Sequence, residues 1–310
     1  MTIKIATDAS MDLPKHFIKR YNIQVVPMTV NLGEQRYSVP DGVESNYLYQ
    51  KMEEKNIIPS TSQPTLGDFY QIYKEATDDG SSLIAIHVSK KISGVYQAGK
   101  LAQKKLPDRD IEVIDSHTAT LCQGILVLIA AQMAEKGKGK EEIIQKIKEL
   151  RSKAIVFATL NDLDTLYHSG RVNLTQKLLA RLFNFKPIFW LIEGDVKGAG
   201  RIRGQKNLLQ KLNEFGQKIC ENLAVKIFFV IHSNRKEEAE KMAQYLREQT
   251  ENVQIEVGEF GLVAGAHTGP GLLGYAWIGE FNPQWFFKKK KRYRAYKKMT
   301  DPERIDYKPF

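Results

Sequence analysis

The chain has 310 residues, 42% of them hydrophobic and 26% charged, with a formal net charge of +10. That length and composition exclude a wholly disordered chain and predict two packed domains, each with room for its own core. Its two cysteines, Cys122 in an apolar run and Cys220 in a helical pattern, lack the spacing of a metal site or a disulfide framework, so both read as buried small hydrophobes.

The opening run from Met1 to Asp8 reads as a first strand ending in a polar turn rather than as a charged-then-apolar leader. The longest apolar stretch, Gly124 to Ala131, falls far short of the roughly 18 residues a spanning helix needs. A cytoplasmic location is therefore expected. The first half alternates β-rich runs with amphipathic windows, the pattern of a parallel sheet covered by helices on both faces. Strands are expected at 3–7, 24–30, 82–87 and 112–115, and helices near 14–21, 45–55, 66–77, 94–104 and 121–135. A glycine-rich break at Gly137-Lys138-Gly139 precedes one more helix, and a second unit is expected to open near residue 153. There, runs at 188–192 and 196–202 flank Glu193-Gly194-Asp195, a hairpin turn signal. Helices at 205–222 and 235–248 and strands at 154–159, 225–231, 254–259 and 273–277 complete a mixed sheet. The fold class is thus α/β in two domains: a three-layer α/β/α parallel-sheet domain over 1–152 and a two-layer α/β domain over 153–285.

Ligands of doubly wound sheets bind outside the carboxyl ends of the strands. Hydroxyls cluster there: Ser10 after the first strand, Ser89 and Ser93 after the third, and Ser116 after the fourth. Ser93 is placed at the N-cap of a helix, where unpaired N–H groups and the positive dipole end favour an anion. Capping its own helix is the ordinary role of such a serine, and local sequence alone favours that role. Pro59-Ser60-Thr61-Ser62-Gln63-Pro64 holds three hydroxyls between prolines and reads as a stiff extended loop. The second unit adds Arg171, Arg201, Arg203 and His267, most of them beside a glycine that lets backbone approach a ligand closely. For a lone Arg the ordinary reading is a solvated position, and for a lone His a structural hydrogen bond. A phosphate loop, a nucleophile elbow, a metalloprotease helix and a placed nucleophilic cysteine are all missing. No catalytic residue, metal site or cofactor is therefore expected.

Taken in order, Thr7-Asp8 with Asp12-Leu13-Pro14, the Pro59–Pro64 segment, Ser93-Gly94-Val95-Tyr96-Gln97, Ile114-Asp115-Ser116, Gly170-Arg171, Lys186-Pro187-Ile188 and His267-Thr268-Gly269-Pro270-Gly271 resemble the DegV family over about residues 2 to 280. That family includes the FakB subunits of bacterial fatty acid kinase. The resemblance implies a long-chain fatty acid such as palmitate in a buried tunnel between two α/β domains. Its carboxylate would meet Thr61 and Ser93, with Ser62, His267 and Arg171 nearby and Arg203 at the tunnel mouth. It further implies a separate ATP-dependent kinase subunit that converts the bound carboxylate to an acyl phosphate. The sequence departs from the family pattern at Ala9, where serine is common, at Glu193-Gly194-Asp195, and in its basic end.

Residues 286–310 carry seven lysines and three arginines against three acids, leaving +3 for residues 1–285. Interleaved with Tyr293 and Tyr296, this tail suits an anionic membrane surface as well as it suits solvent. A nucleic-acid role lacks any base-reading domain. Two rival functions remain open at this point: a stand-alone enzyme related to small-molecule kinase components, and a membrane or nucleic-acid adaptor acting through the tail.

Overall fold

The computed structural model describes residues 2–55, 57–161, 164–171 and 185–286. Strands β1 (Ile3–Asp8), β2 (Gln24–Val26), β6 (Ser82–His87) and β7 (Ile111–Asp115) form a parallel sheet in the order β2-β1-β6-β7. Every residue of β6 is buried, as a strand covered on both faces requires. Between β1 and β2 lies α1 (Lys15–Arg20). Helices α3 (Leu66–Thr77) and α4 (Val95–Lys104) pack together against this sheet. A second pair, α5 (Thr120–Glu135) and α6 (Lys140–Arg151), packs against it as well, giving three layers.

The expected strand at 24–30 is two strands. Pro27 has no N–H to donate, so the ladder breaks there. Past it, β3 (Met28–Leu32) leaves the parallel sheet and pairs antiparallel with β4 (Gln35–Val39) and β5 (Ser60–Ser62). The segment expected as a loop at 59–64 therefore holds a short strand, with Thr61 registered against Val30. Helix α2 (Ser45–Lys55) lies between β4 and β5 in the chain.

The second sheet has six strands in the order β10-β9-β8-β13-β11-β12. These are β8 (Ala154–Thr159), β9 (Phe185–Ile192), β10 (Asp195–Arg203), β11 (Leu223–His232), β12 (Gln254–Glu259) and β13 (Leu273–Gly279). All neighbours are antiparallel except β11 and β12. The β9–β10 hairpin turns on Glu193 and Gly194 at φ 51° and 81°, the left-handed pair that a two-residue hairpin requires. Two short helices escaped the sequence pattern, α7 (Asp164–His168) and α10 (Leu262–Thr268). Helices α8 (Gln205–Cys220) and α9 (Lys236–Gln249) cover one face of the sheet over a core of Phe157, Trp190, Phe215, Tyr275 and Trp277. Phe286, expected as the first residue of the tail, belongs to that core and lies 5.0 Å from Phe157 and 5.3 Å from Phe215, ring to ring.

Helix α5 joins the two sheets. It touches β1 and β6 on one side and β8 and β13 on the other, and nine consecutive residues from Thr120 to Leu128 are buried. Its sequence is apolar nearly all round, which only a helix enclosed on every side can use. Among the described residues no helix is long and apolar enough to cross a membrane.

Candidate functional site

A cavity of about 140 Å³ lies between the sheets. That is roughly ten times the space one water needs, so it is large enough to admit a ligand. Its wall is largely aliphatic and aromatic, with Val156, Ala158, Phe189, Leu191, Val263 and Leu272 prominent. A second, polar hollow opens beside it, lined by Ser62, Gln63, Lys90, Lys91, Gly94 and Gln97. Thr61, Ser93 and Arg171 line both, so three hydrogen-bonding groups from three separate segments stand where the apolar cavity meets the polar vestibule.

Strand pairing with β3 puts Thr61 in this position, half-buried, with Oγ1 3.0 Å from His267 Nε2. His267 arrives from α10, which ends one residue later at Thr268 because Gly269 takes a positive φ of 71°. Burial, reinforced by the Arg171 cation, pushes the His267 imidazole down to about 4, so it is neutral at pH 7. Arg171 sits on the exposed side of the junction, its guanidinium tied to the Ser169 carbonyl.

Ser93 is not the N-cap. That position is Gly94, which offers no side chain, and the Ser93 hydroxyl one residue earlier accepts from the Val95 N–H at 3.4 Å. A contact that long leaves the Ser93 proton and a lone pair for a ligand. Ser62 faces the vestibule and accepts from Asn31 Nδ2 at 3.1 Å. The Arg203 backbone closes β10 against Phe185, while its side chain and residues 287–310 of the tail lie outside the described residues.

Beneath the hydroxyls lies a buried polar network that strand-end reasoning reached only in part. Asp8 accepts from Ser10 N–H at 3.1 Å, His87 Nδ1 at 3.0 Å, Val88 N–H at 3.0 Å and Gln123 Nε2 at 3.0 Å, and also from the Ser10 hydroxyl. His87 Nε2 in turn lies 2.6 Å from the Tyr73 hydroxyl. Burial raises the Asp8 pKa, but the interaction with His87 and the bonds from Ser10 and Val88 outweigh it and hold the carboxyl below its ordinary value. Asp8 was visible as the polar residue ending the first strand. Apart from Ser10 in the adjoining turn, its partners come from the end of β6 and from α5, and no spacing announces them.

Both cysteines are buried and their thiols are pushed up to about 12, which removes them as nucleophiles. Among the described residues no group of three or more His, Cys, Asp or Glu could hold a metal.

A DegV family model matches residues 2–280. The chain belongs to the DegV family. A DegV domain-containing protein of Caldanaerobacter subterraneus is 31% identical over 272 residues, covering 88% of this chain and 97% of its own. Protein DegV of Bacillus subtilis is 28% identical over 278 residues, covering 89% and 99%. Among solved structures, a DegV family protein of Thermus thermophilus described for its fatty acid binding superposes with a TM-score of 0.81 at 31% identity, over 90% of this chain and all of that one. Bacillus subtilis DegV, described as a fatty acid binding protein, does so with a TM-score of 0.81 at 27% identity and the same coverage. The α/β architecture with a parallel sheet and a separate mixed sheet is the DegV fold.

Proposed function

We propose that this chain binds one long-chain fatty acid, with the acyl chain in the apolar cavity and the carboxylate at Thr61 and Ser93, and presents that carboxylate to a kinase partner for conversion to an acyl phosphate. The observation that carries this reading is the junction itself: Thr61, Ser93 and Arg171 line both the apolar cavity and the polar vestibule. An amphipathic ligand lying across it keeps its chain dry and its head group within reach of a second protein. The fatty acid binding described for the Thermus and Bacillus DegV proteins supports the ligand class.

In this reading His267, neutral at pH 7, donates Nε2–H to Thr61 Oγ1 and so frees the Thr61 proton for the carboxylate. Arg171, Lys90 and Lys91 supply positive charge at the mouth, with Ser62 beside them, and the family resemblance adds Arg203. The division into two domains falls near residue 153, and the basic tail adds attraction to anionic membrane. Burying a long chain at about 0.8 kcal/mol per CH₂ contributes on the order of 10 kcal/mol before association costs, so the head-group contacts chiefly set orientation.

Mass spectrometry of organic extracts, from purified protein and from protein refolded with added fatty acid, should recover about one acyl chain per polypeptide. Recovery of none in either preparation sinks the reading. Thr61→Ala with Ser93→Ala should lose acyl phosphate formation with a fatty acid kinase more completely than it loses lipid binding. Full phosphorylation by that double variant removes the head-group assignment.

A further inference from the structure

Three hydroxyl-bearing residues line the inner cavity but not the vestibule; the Thr268 hydroxyl donates to the Ala264 carbonyl at 3.1 Å, which leaves Ser10 and Thr120. Both residues are deeply buried, 5% and 4% exposed. The Thr120 N–H donates to the Ser10 carbonyl at 3.0 Å, which clamps the two side by side. Thr120 takes φ 54°, a left-handed conformation that a β-branched residue rarely adopts. In that conformation its Oγ1 is enclosed without a hydrogen-bond partner. Buried hydroxyls are normally paired, so a strained residue holding an unpaired one against a cavity points to a group brought in from outside. Thr120 also opens α5, a helix of 16 residues whose cap, Ala119, provides no side-chain bond.

The chemistry of that group follows from what each hydroxyl has left. Ser10's single proton is directed at Asp8 Oδ1 and, at 3.3 Å, Gln123 Oε1, so toward the cavity its oxygen can only accept. Thr120 retains both its proton and its lone pairs. A methylene satisfies neither. A carbonyl or ether oxygen accepts from Thr120 and leaves Ser10 without a donor. A hydroxyl donates to Ser10 and accepts from Thr120, satisfying both.

We propose that Ser10 and Thr120 form a second polar station inside the cavity that receives a hydroxyl on the acyl chain, so that the preferred ligand is a hydroxylated long-chain fatty acid. The proposal rests on the reading of the cavity as a fatty-acid site. It assigns Thr120 the selection between hydroxylated and plain chains, a role separate from holding the carboxylate.

Equilibrium binding of stearic acid and of a series of positional isomers of monohydroxystearic acid, to wild type, Thr120→Val and Thr120→Ser, tests it. At least one isomer should bind wild type more tightly than stearic acid. The ratio of the stearic acid Kd to that isomer's Kd should fall about tenfold in Thr120→Val and return in Thr120→Ser, the effect of one buried hydrogen bond. Thr120→Ala replaces the valine variant if the latter fails to fold. A ratio unchanged by removing the hydroxyl, or a series in which no isomer binds more tightly than stearic acid, overturns the proposal while leaving the fatty-acid reading intact. Absence of binding by stearic acid and every isomer removes both.

Discussion

The two sides of the cavity are lined by different chemistry for different structural reasons. Residues 2–151 contribute Ser10, Ser93 and Thr120, hydroxyls that follow strands of the parallel sheet, and Thr61 from within β5, whereas the second sheet contributes Val156, Ala158, Phe189 and Leu191. In a parallel sheet the carboxyl ends of the strands point the same way, so the loops that follow them gather polar side chains at one edge. In the second sheet the cavity is bounded by strand surface rather than strand ends. Val156 pairs with Leu191 and Ala158 with Phe189, so alternate residues on two neighbouring strands form one apolar floor. Phe157 and Trp190, on the opposite face of the same strands, pack under α8 and α9. The apolar floor thus comes from the middle of one sheet and most of the hydroxyls from the edge of another.

The sharpest way to break this division is to fill the floor. Ala158→Trp places an indole where the acyl chain is proposed to lie, and long-chain fatty acid affinity should fall by about a hundredfold or more while the thermal transition stays cooperative. Displacement of a fluorescent fatty acid measures this. Affinity within a fewfold of wild type would mean that the chain lies elsewhere.

A second change tests whether the hydroxyl side depends on what lies beneath it. Asp8→Asn sets an amide where a carboxylate collects five donated hydrogen bonds, and stability should drop by about 2–4 kcal/mol in denaturant unfolding. A loss under about 1 kcal/mol would show that the network is not structural.

The smallest expected effect is on pH dependence. His267 and His232 both have imidazoles pushed by burial from 6.5 down to about 4. The unfolded chain binds more protons than the folded one between those values. Their contribution to stability should therefore be fully present above pH 6.5, decline as pH falls, and be lost through pH 4. His267→Asn removes one of the two contributions and should flatten the slope of Tm between pH 6.5 and 4. An unchanged slope would mean that His267 titrates normally.

Much of the architecture is legible without coordinates. The alternation of apolar runs and amphipathic windows marks the parallel sheet, and Glu193-Gly194 marks a hairpin because few other pairs accept two left-handed residues. The all-round apolar character of α5 fits a helix enclosed on every side, although it does not name the two sheets that enclose it. Pro27 contained the information that splits 24–30, since a proline inside a strand removes a ladder bond. The site is only half legible. Thr61 and Ser93 stand out as hydroxyls flanked by prolines or followed by a helix, and their join to His267 and Arg171 came from resemblance to a family.

What the sequence by itself determined is the set of local structures and the hydroxyls after the strands, because propensity, turn chemistry and apolar period act over a few residues. What only the tertiary structure decided is which of these groups meet. The bond between Thr61 and His267 spans 206 positions, and the pairing of β3 with β5 turned an expected loop into the strand that holds Thr61. The cavity is likewise a property of packing between two sheets across α5. It is a gap among ordinary aliphatic side chains, which carry no motif, and Ser10 and Thr120 meet beside it only because the start of α5 bonds to the turn that follows β1.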